Sequence, residues 1–142
     1  MIYQGEVTMA FKQECFIRKN TPELQKKLAL LGYRHNIFDK NDRPWLAANY
    51  GLFISVDEGF QRLNLTDIDC GTNEKMFLAI AAMRDDSDYM QWFICDDGES
   101  MFQVDKPDMS VEKYIHEYMD GWNTDGYRKA TAKEIVEHFS NK

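Results

Sequence analysis

Cysteine is scarce in this 142-residue chain. Cys15, Cys70 and Cys95 form an odd set with no C-x-x-C pair, which excludes a disulfide framework and a structural zinc site, and no metal is expected. Such sparse thiols are expected in a reducing cytoplasm. Long apolar runs are lacking too. The longest, residues 76–83 (Met-Phe-Leu-Ala-Ile-Ala-Ala-Met), has eight residues, against the ~20 a membrane-spanning helix needs, so no membrane partner is expected. The first eight residues lack a basic stretch followed by an apolar run, so no secretory signal is expected either. Three prolines and eight glycines are spread without a Pro-, Gly- or Ser-rich linker. Neither G-x-G-x-x-G nor G-x-x-x-x-G-K-[ST] occurs, so no nucleotide cofactor is expected. An excess of positive charge is also missing: the net charge of -7 opposes binding to a phosphate backbone, and nucleic acid is not an expected partner.

What is present is a set of local structure signals. Residues 14–18 read as a strand. Thr21-Pro22 then starts a helix with an N-cap and a proline at its first position, Leu24, Leu28 and Leu31 keep helical spacing, and Gly32 closes it. Tyr33-Arg34-His35 begins another strand, and residues 45–48 and 52–56 read as a hairpin turning at Asn49-Tyr50-Gly51. Between Asp57 and Asp69 the pattern is loose and reads mostly as loop. Residues 76–83 predict a helix apolar on all sides, hence buried. Residues 89–94 and 101–104 predict a second hairpin with a type I′ turn at Asp97-Gly98. Ser110 caps an amphipathic helix carrying Val111, Tyr114, Ile115, Tyr118, Met119 and Trp122 on one broad face, and Thr131 with Glu134 forms the capping box of a last helix with Ile135, Val136 and Phe139. Strands in runs, broken by isolated helices, predict one α+β domain over residues 1–142, with an antiparallel sheet, about four helices and one of them fully buried. Residues 1–12 read as an extended or disordered leading segment.

Candidate chemistry is sparse. Cys70 stands just ahead of the apolar helix, whose N-terminal N–H groups would favour a thiolate and hold an oxyanion. That pattern suits a small cysteine hydrolase or transferase, and papain-like and NlpC-type enzymes place a cysteine comparably. No histidine is paired with it by spacing, so the bland alternative is a small buried cysteine. Asp67-Ile68-Asp69-Cys70-Gly71 lacks the ligand pattern of a calcium loop. Acidic residues gather at Asp67, Asp69, Asp85, Asp86, Asp88, Asp96, Asp97 and Glu99, either as a solvated rim, as a face for a basic partner or as a mimic of nucleic acid. Among the aromatics, Trp45, Tyr50, Trp92, Phe93 and Trp122 are the candidates for a binding face. Because neighbours on a strand point to opposite sides, one of Trp92 and Phe93 is expected in the core and the other at the surface.

Residues 69–74 and 83–88 with Gln91-Trp92-Phe93, together with residues 21–28, Leu31-Gly32-Tyr33, Lys129-Ala130-Thr131 and Glu137-His138-Phe139, resemble uncharacterised proteins encoded by phages and mobile elements of gut bacteria. The resemblance spans nearly the whole chain and implies a bacterial, prophage-encoded accessory protein of the cytoplasm. It carries no activity and no site residues with it. The expectation for function is a non-enzymatic module that binds another protein.

Overall fold

A computed structural model describes residues 11–59, 67–119 and 126–140. The chain is α+β, with four helices among the described residues. It packs as two compact units, Met1–Asp85 and Asp86–Lys142. Trp122 and the first ten residues lie outside the described residues.

In the first unit, β1 (Cys15–Ile17) leads into α1 (Pro22–Leu31), and the start signals work as read: Thr21 Oγ1 accepts the Leu24 N–H at 3.1 Å. Gly32 ends α1 at φ 111°, a left-handed conformation open to glycine without a Cβ penalty. Leu24, Leu28 and Leu31 turn inward. The chain continues through β2 (Arg34–His35), β3 (Trp45–Asn49), β4 (Leu52–Val56), β5 (Ile68–Asp69) and α2 (Glu74–Ala81). These strands form one sheet in the order β2-β4-β3-β1-β5. It is mixed where an antiparallel sheet was expected, because β2 pairs parallel to β4 and β5 parallel to β1. Both parallel pairs join strands far apart in sequence, as parallel pairing requires. A two-residue strand such as β5 is specified by its partner β1 rather than by any periodicity of its own, which is why the stretch after Asp57 reads as loop.

α2 is buried as its composition demands: Phe77, Ile80 and Ala81 have no exposed surface, and Met76, Ala79 and Ala82 are nearly as enclosed. Leu78 alone within it is half-buried among the apolar positions. The Cys15 thiol of β1 lies 3.9 Å from the Phe77 carbonyl, and the Tyr33 hydroxyl donates to the Ala81 carbonyl at 2.9 Å, satisfying one of the acceptors that a helix end leaves open.

In the second unit, β6 (Trp92–Cys95), β7 (Met101–Gln103) and β8 (Tyr127–Lys129) form an antiparallel sheet in the order β7-β6-β8. α3 (Val111–Tyr118) is capped by Ser110 Oγ, and α4 (Ala132–Ser140) opens with the expected capping box, Thr131 Oγ1 accepting from the Glu134 amide and Glu134 Oε1 from the Thr131 amide. The Arg128 guanidinium grips the same Glu134 carboxylate through two bonds, and with the Thr131 amide holds its pKa down to about 2. The face of α3 is less covered than its pattern implied: Val111 is buried, Tyr114 and Ile115 are half-buried, and Tyr118 is exposed.

Turn chemistry is exchanged between the two hairpins. The type I′ turn sits at Tyr50-Gly51, whose φ values are 48° and 94°, between the paired Asn49 and Leu52. At Asp97-Gly98 only the glycine has positive φ, 76°. There the Gly98 amide bonds the Cys95 carbonyl and the Cys95 amide bonds the Ser100 carbonyl, giving a four-residue loop. The Asp97 carboxylate fills it, accepting from the Glu99 and Ser100 amides at 2.8 Å and from the Ser100 hydroxyl at 2.6 Å. Those donors outcompete the two-residue turn expected from the dipeptide alone. Gly98→Val forces a branched side chain into positive φ and is expected to lower stability by about 1–2 kcal/mol. Loss of the β6–β7 cross-strand contacts in a backbone NMR comparison checks it; unaltered pairing would contradict it.

Candidate functional site

The segment joining β2 to β3 carries the two most exposed large apolar side chains among the described residues. It contains Asn36, Ile37, Phe38, Asp39, Lys40, Asn41, Asp42, Arg43 and Pro44, a polar stretch interrupted by two large apolar residues. Ile37 is 86% exposed and Phe38 89%. Side chains of this kind normally go inside, and here the backbone offers no freedom to hide them. The Asn36 amide bonds the Phe53 carbonyl of β4 at 3.0 Å, the Asn36 side chain accepts from the Phe38 amide at 2.9 Å, and the Asp39 amide closes the turn on the Asn36 carbonyl at 3.0 Å. This is an Asx turn, the local device that asparagine favours.

Asp39 is the anchor. One carboxylate oxygen takes the Ser55 hydroxyl at 2.8 Å; the other takes the Ser55 amide at 2.7 Å and His35 Nε2 at 2.8 Å. Its burial would raise the pKa, but the Ser55 amide, His35, the Ser55 hydroxyl and the Asn41 amide together outweigh that and lower it to about 2. The His35 ring stacks on Phe53 at 5.0 Å. The far half of the segment is tied to α1 by carboxamides: Asn41 exchanges hydrogen bonds with Gln25 at 2.9 and 3.0 Å, and Asn20 donates to the Arg43 carbonyl at 2.8 Å. The Ile37/Phe38 turn is therefore held at both of its flanks.

Beside it opens a cleft of about 460 Å³, lined among others by Asn36, Phe38, Lys40, Arg43, Ile54 and Ser55. Asp, His and Ser meet at its edge, yet not as a nucleophilic triad. The Ser55 hydroxyl donates to Asp39 rather than to His35 and is fully buried, so no base is aimed at it.

Of the aromatic residues expected to bind, Trp45 and Tyr50 belong to the first unit and Trp92 and Phe93 to the second. Trp45 stacks on Phe16 at 6.3 Å, with the Arg18 guanidinium 5.1 Å from its ring centre. Tyr50 stands at the other end of β3, in the type I′ turn. Trp92 packs edge-on against Phe139 at 5.2 Å and beside His138 at 5.5 Å. Phe93 is 4% exposed and stacks on Phe102 at 5.6 Å, so it belongs to the core and not to a binding face; the alternation of β6 leaves Trp92 half-buried. Trp122 lies outside the described residues. Sequence reasoning missed Ile37 and Phe38; the signal was there, two large apolar residues inside a turn-rich polar stretch.

Cys70, the residue after β5, is buried, its sulfur 4.0 Å from the Ile68 carbonyl and beside the Cys15 thiol, whose own pKa is pushed well up by burial and by Cys70. The N–H groups that would serve an oxyanion are engaged, Gly71 N–H on Asp69 Oδ1 at 2.9 Å and Met76 N–H on Asn73 Oδ1 at 3.0 Å. Among the described residues no histidine bonds its sulfur, and His35 is spent on Asp39. Cys15 and Cys70 are expected to react with iodoacetamide at least tenfold more slowly than the half-exposed Cys95 in the folded chain, and all three alike in urea. Mass-spectrometric mapping of the alkylated peptides checks this; preferential labelling of Cys70 would restore it as a nucleophile.

The acidic residues of the middle are largely spoken for. Asp67 is buried, Asp69 pairs with Arg18, Asp85 with Lys12, Asp88 accepts from the Val111 amide, and Asp97 holds its own loop. Among the described residues no group of three or more His, Cys, Asp or Glu is placed to hold a metal ion, and no helix is long and apolar enough to cross a membrane. Comparison with models of protein families, with curated proteins and with solved structures found no match for the chain.

Proposed function

We propose that the chain is a non-enzymatic module that binds another protein, and that the Ile37/Phe38 turn is its point of contact. One observation carries this: two large apolar side chains stand almost fully in water on a backbone pinned by Asp39 to β4 and by Asn41 to α1. Exposure of such groups costs hydration free energy that docking recovers, and a turn already hydrogen-bonded at both flanks has less entropy to lose when it docks. Aromatic residues in this position are typical interface hot spots, whose truncation costs ~2 kcal/mol or more. The resemblance to phage-encoded proteins supports a bacterial or prophage setting, with the cytoplasm as its compartment.

Affinity capture from a bacterial lysate with the wild-type chain and with Phe38→Ser tests the reading. A specific captured protein should be reduced about tenfold or more by Phe38→Ser. The urea midpoint should stay unchanged, because the side chain packs on little. Equal capture of the same protein by both would defeat the proposal.

A further inference from the structure

Two of the three thiols share one enclosed place in the first unit. Cys15 has no exposed surface and Cys70 is 2% exposed. β5 runs parallel to β1 with Ile68 opposite Cys15 and Asp69 opposite Phe16, and the Cys70 amide continues that ladder onto the Phe16 carbonyl at 2.9 Å. Alternation along paired strands therefore sets Cys15, Ile68 and Cys70 on one face of the sheet. That face meets α2, where the Cys15 sulfur lies 3.9 Å from the Phe77 carbonyl, and there the thiols of Cys15 and Cys70 hydrogen-bond each other. We propose that the pair is a reversible redox staple: a small-molecule disulfide oxidises the two thiols to a Cys15–Cys70 disulfide, closing residues 16–69 into a loop that holds α1, β2, the Ile37/Phe38 turn, β3 and β4. One bond between adjacent strands differs from the framework of several that the sequence excludes, because the unit is already packed with both thiols free.

The sulfurs are already in contact, so torsion about their Cα–Cβ bonds is the freedom that brings them to bonding distance. β5 is a two-residue strand at the sheet edge, whereas β1 is paired on both sides, by β3 and β5. Local opening therefore frees Cys70 before Cys15, since the edge gives up fewer hydrogen bonds. The Cys70 thiolate attacks one sulfur of the small disulfide, breaking its S–S bond and expelling one small thiolate. The Cys15 thiolate then attacks the Cys70 sulfur of the mixed disulfide and expels the second. Both protein protons end on the two expelled thiolates, and two electrons pass from the protein sulfurs to the small disulfide. Burial and the neighbouring Cys70 hold the Cys15 thiol protonated, so the closed site reacts slowly and the staple forms through the opened edge. Once formed, it ties that edge to β1.

The test uses the full chain carrying Cys95→Ser, incubated in its folded state with oxidised or with reduced glutathione. Oxidised glutathione should lower the mass by two hydrogen atoms, give a Cys15–Cys70 cross-linked peptide on non-reducing mass-spectrometric mapping, and raise the urea midpoint by about 1 M. Dithiothreitol should reverse all three. Amide signals of β1 and β5 should shift on oxidation while those of Ile37 and Phe38 keep their positions. Cys70→Ala in the same background should gain neither a cross-link nor a higher midpoint from the oxidant, a comparison made within one variant and so independent of what the substitution itself costs. Glutathione retained on Cys70 without a cross-link, a cross-link that forms only in urea, or a midpoint left equal or lowered by the cross-link would overturn the staple. So would thiols that stay free in the folded chain under excess oxidised glutathione, or an equal rise in midpoint for Cys70→Ala.

Discussion

Phe77→Ala should destabilise the first unit by about 3–5 kcal/mol, the cost of truncating a fully enclosed aromatic side chain, and Ile80→Ala by about 2–5 kcal/mol. Neither residue has any exposed surface. The helix that carries them is short and cannot turn a different side to the interior, because Met76, Ala79 and Ala81 are enclosed as well. The loss therefore has two parts: the transfer free energy of the removed atoms, and a cavity that neighbours such as β1 cannot close without breaking strand pairing. Urea denaturation followed through amide signals of β1, β3 and α2 measures it. Midpoints equal to wild type for both variants would show that α2 is not the centre of this unit.

Acid should release the Asp39 anchor. A carboxyl group held near pKa 2 against an ordinary 3.8 contributes stability that is fully present above about pH 4 and is lost as pH falls from 4 through 2, since the depressed group must take up a proton to leave the folded state's favour. At ~1.4 kcal/mol per unit the contribution is about 2 kcal/mol. Asp39→Asn keeps one acceptor oxygen but puts an N–H₂ where Ser55 or His35 donates. It should cost about 2 kcal/mol at neutral pH, because the buried Ser55 hydroxyl or amide loses its partner. The acid limb of the stability curve between pH 4 and 2 should then flatten in the variant. Thermal unfolding of both chains over that range decides, and parallel curves would remove Asp39 from the role. Because the same carboxylate fixes the Ile37/Phe38 turn, partner capture should fall with it even where the fold survives.

The helix caps are legible in the sequence because there one residue's chemistry acts on its near neighbours. Thr21 with Pro22, Gly32, Ser110, and the Thr131/Glu134 box all sit where their short-range hydrogen bonds put them. The candidate site was not legible in the same way. The polar, turn-rich stretch around Ile37 and Phe38 marks them as unusual, but it does not by itself fix their side chains in water. That outcome depends on Ser55, which takes hold of Asp39 from sixteen residues away. The type I′ turn expected at Asp97-Gly98 is displaced by a local competitor, the Ser100 hydroxyl three residues on, while Tyr50, a poor candidate by propensity, accepts positive φ because the register of Asn49 with Leu52 requires it.

By itself the sequence determined the α+β class, the caps, the burial of residues 76–83 and the exclusion of a membrane-spanning helix, because each follows from spacing or composition within about a dozen residues. Tertiary structure alone decided the parallel pairing of β5 with β1, the division into two units, the enclosure of Cys70 and the exposure of Ile37 and Phe38. These depend on which distant segments pair. A pairing between strands fifty residues apart is chosen by the total free energy of the packed unit, and no short stretch of either strand contains it.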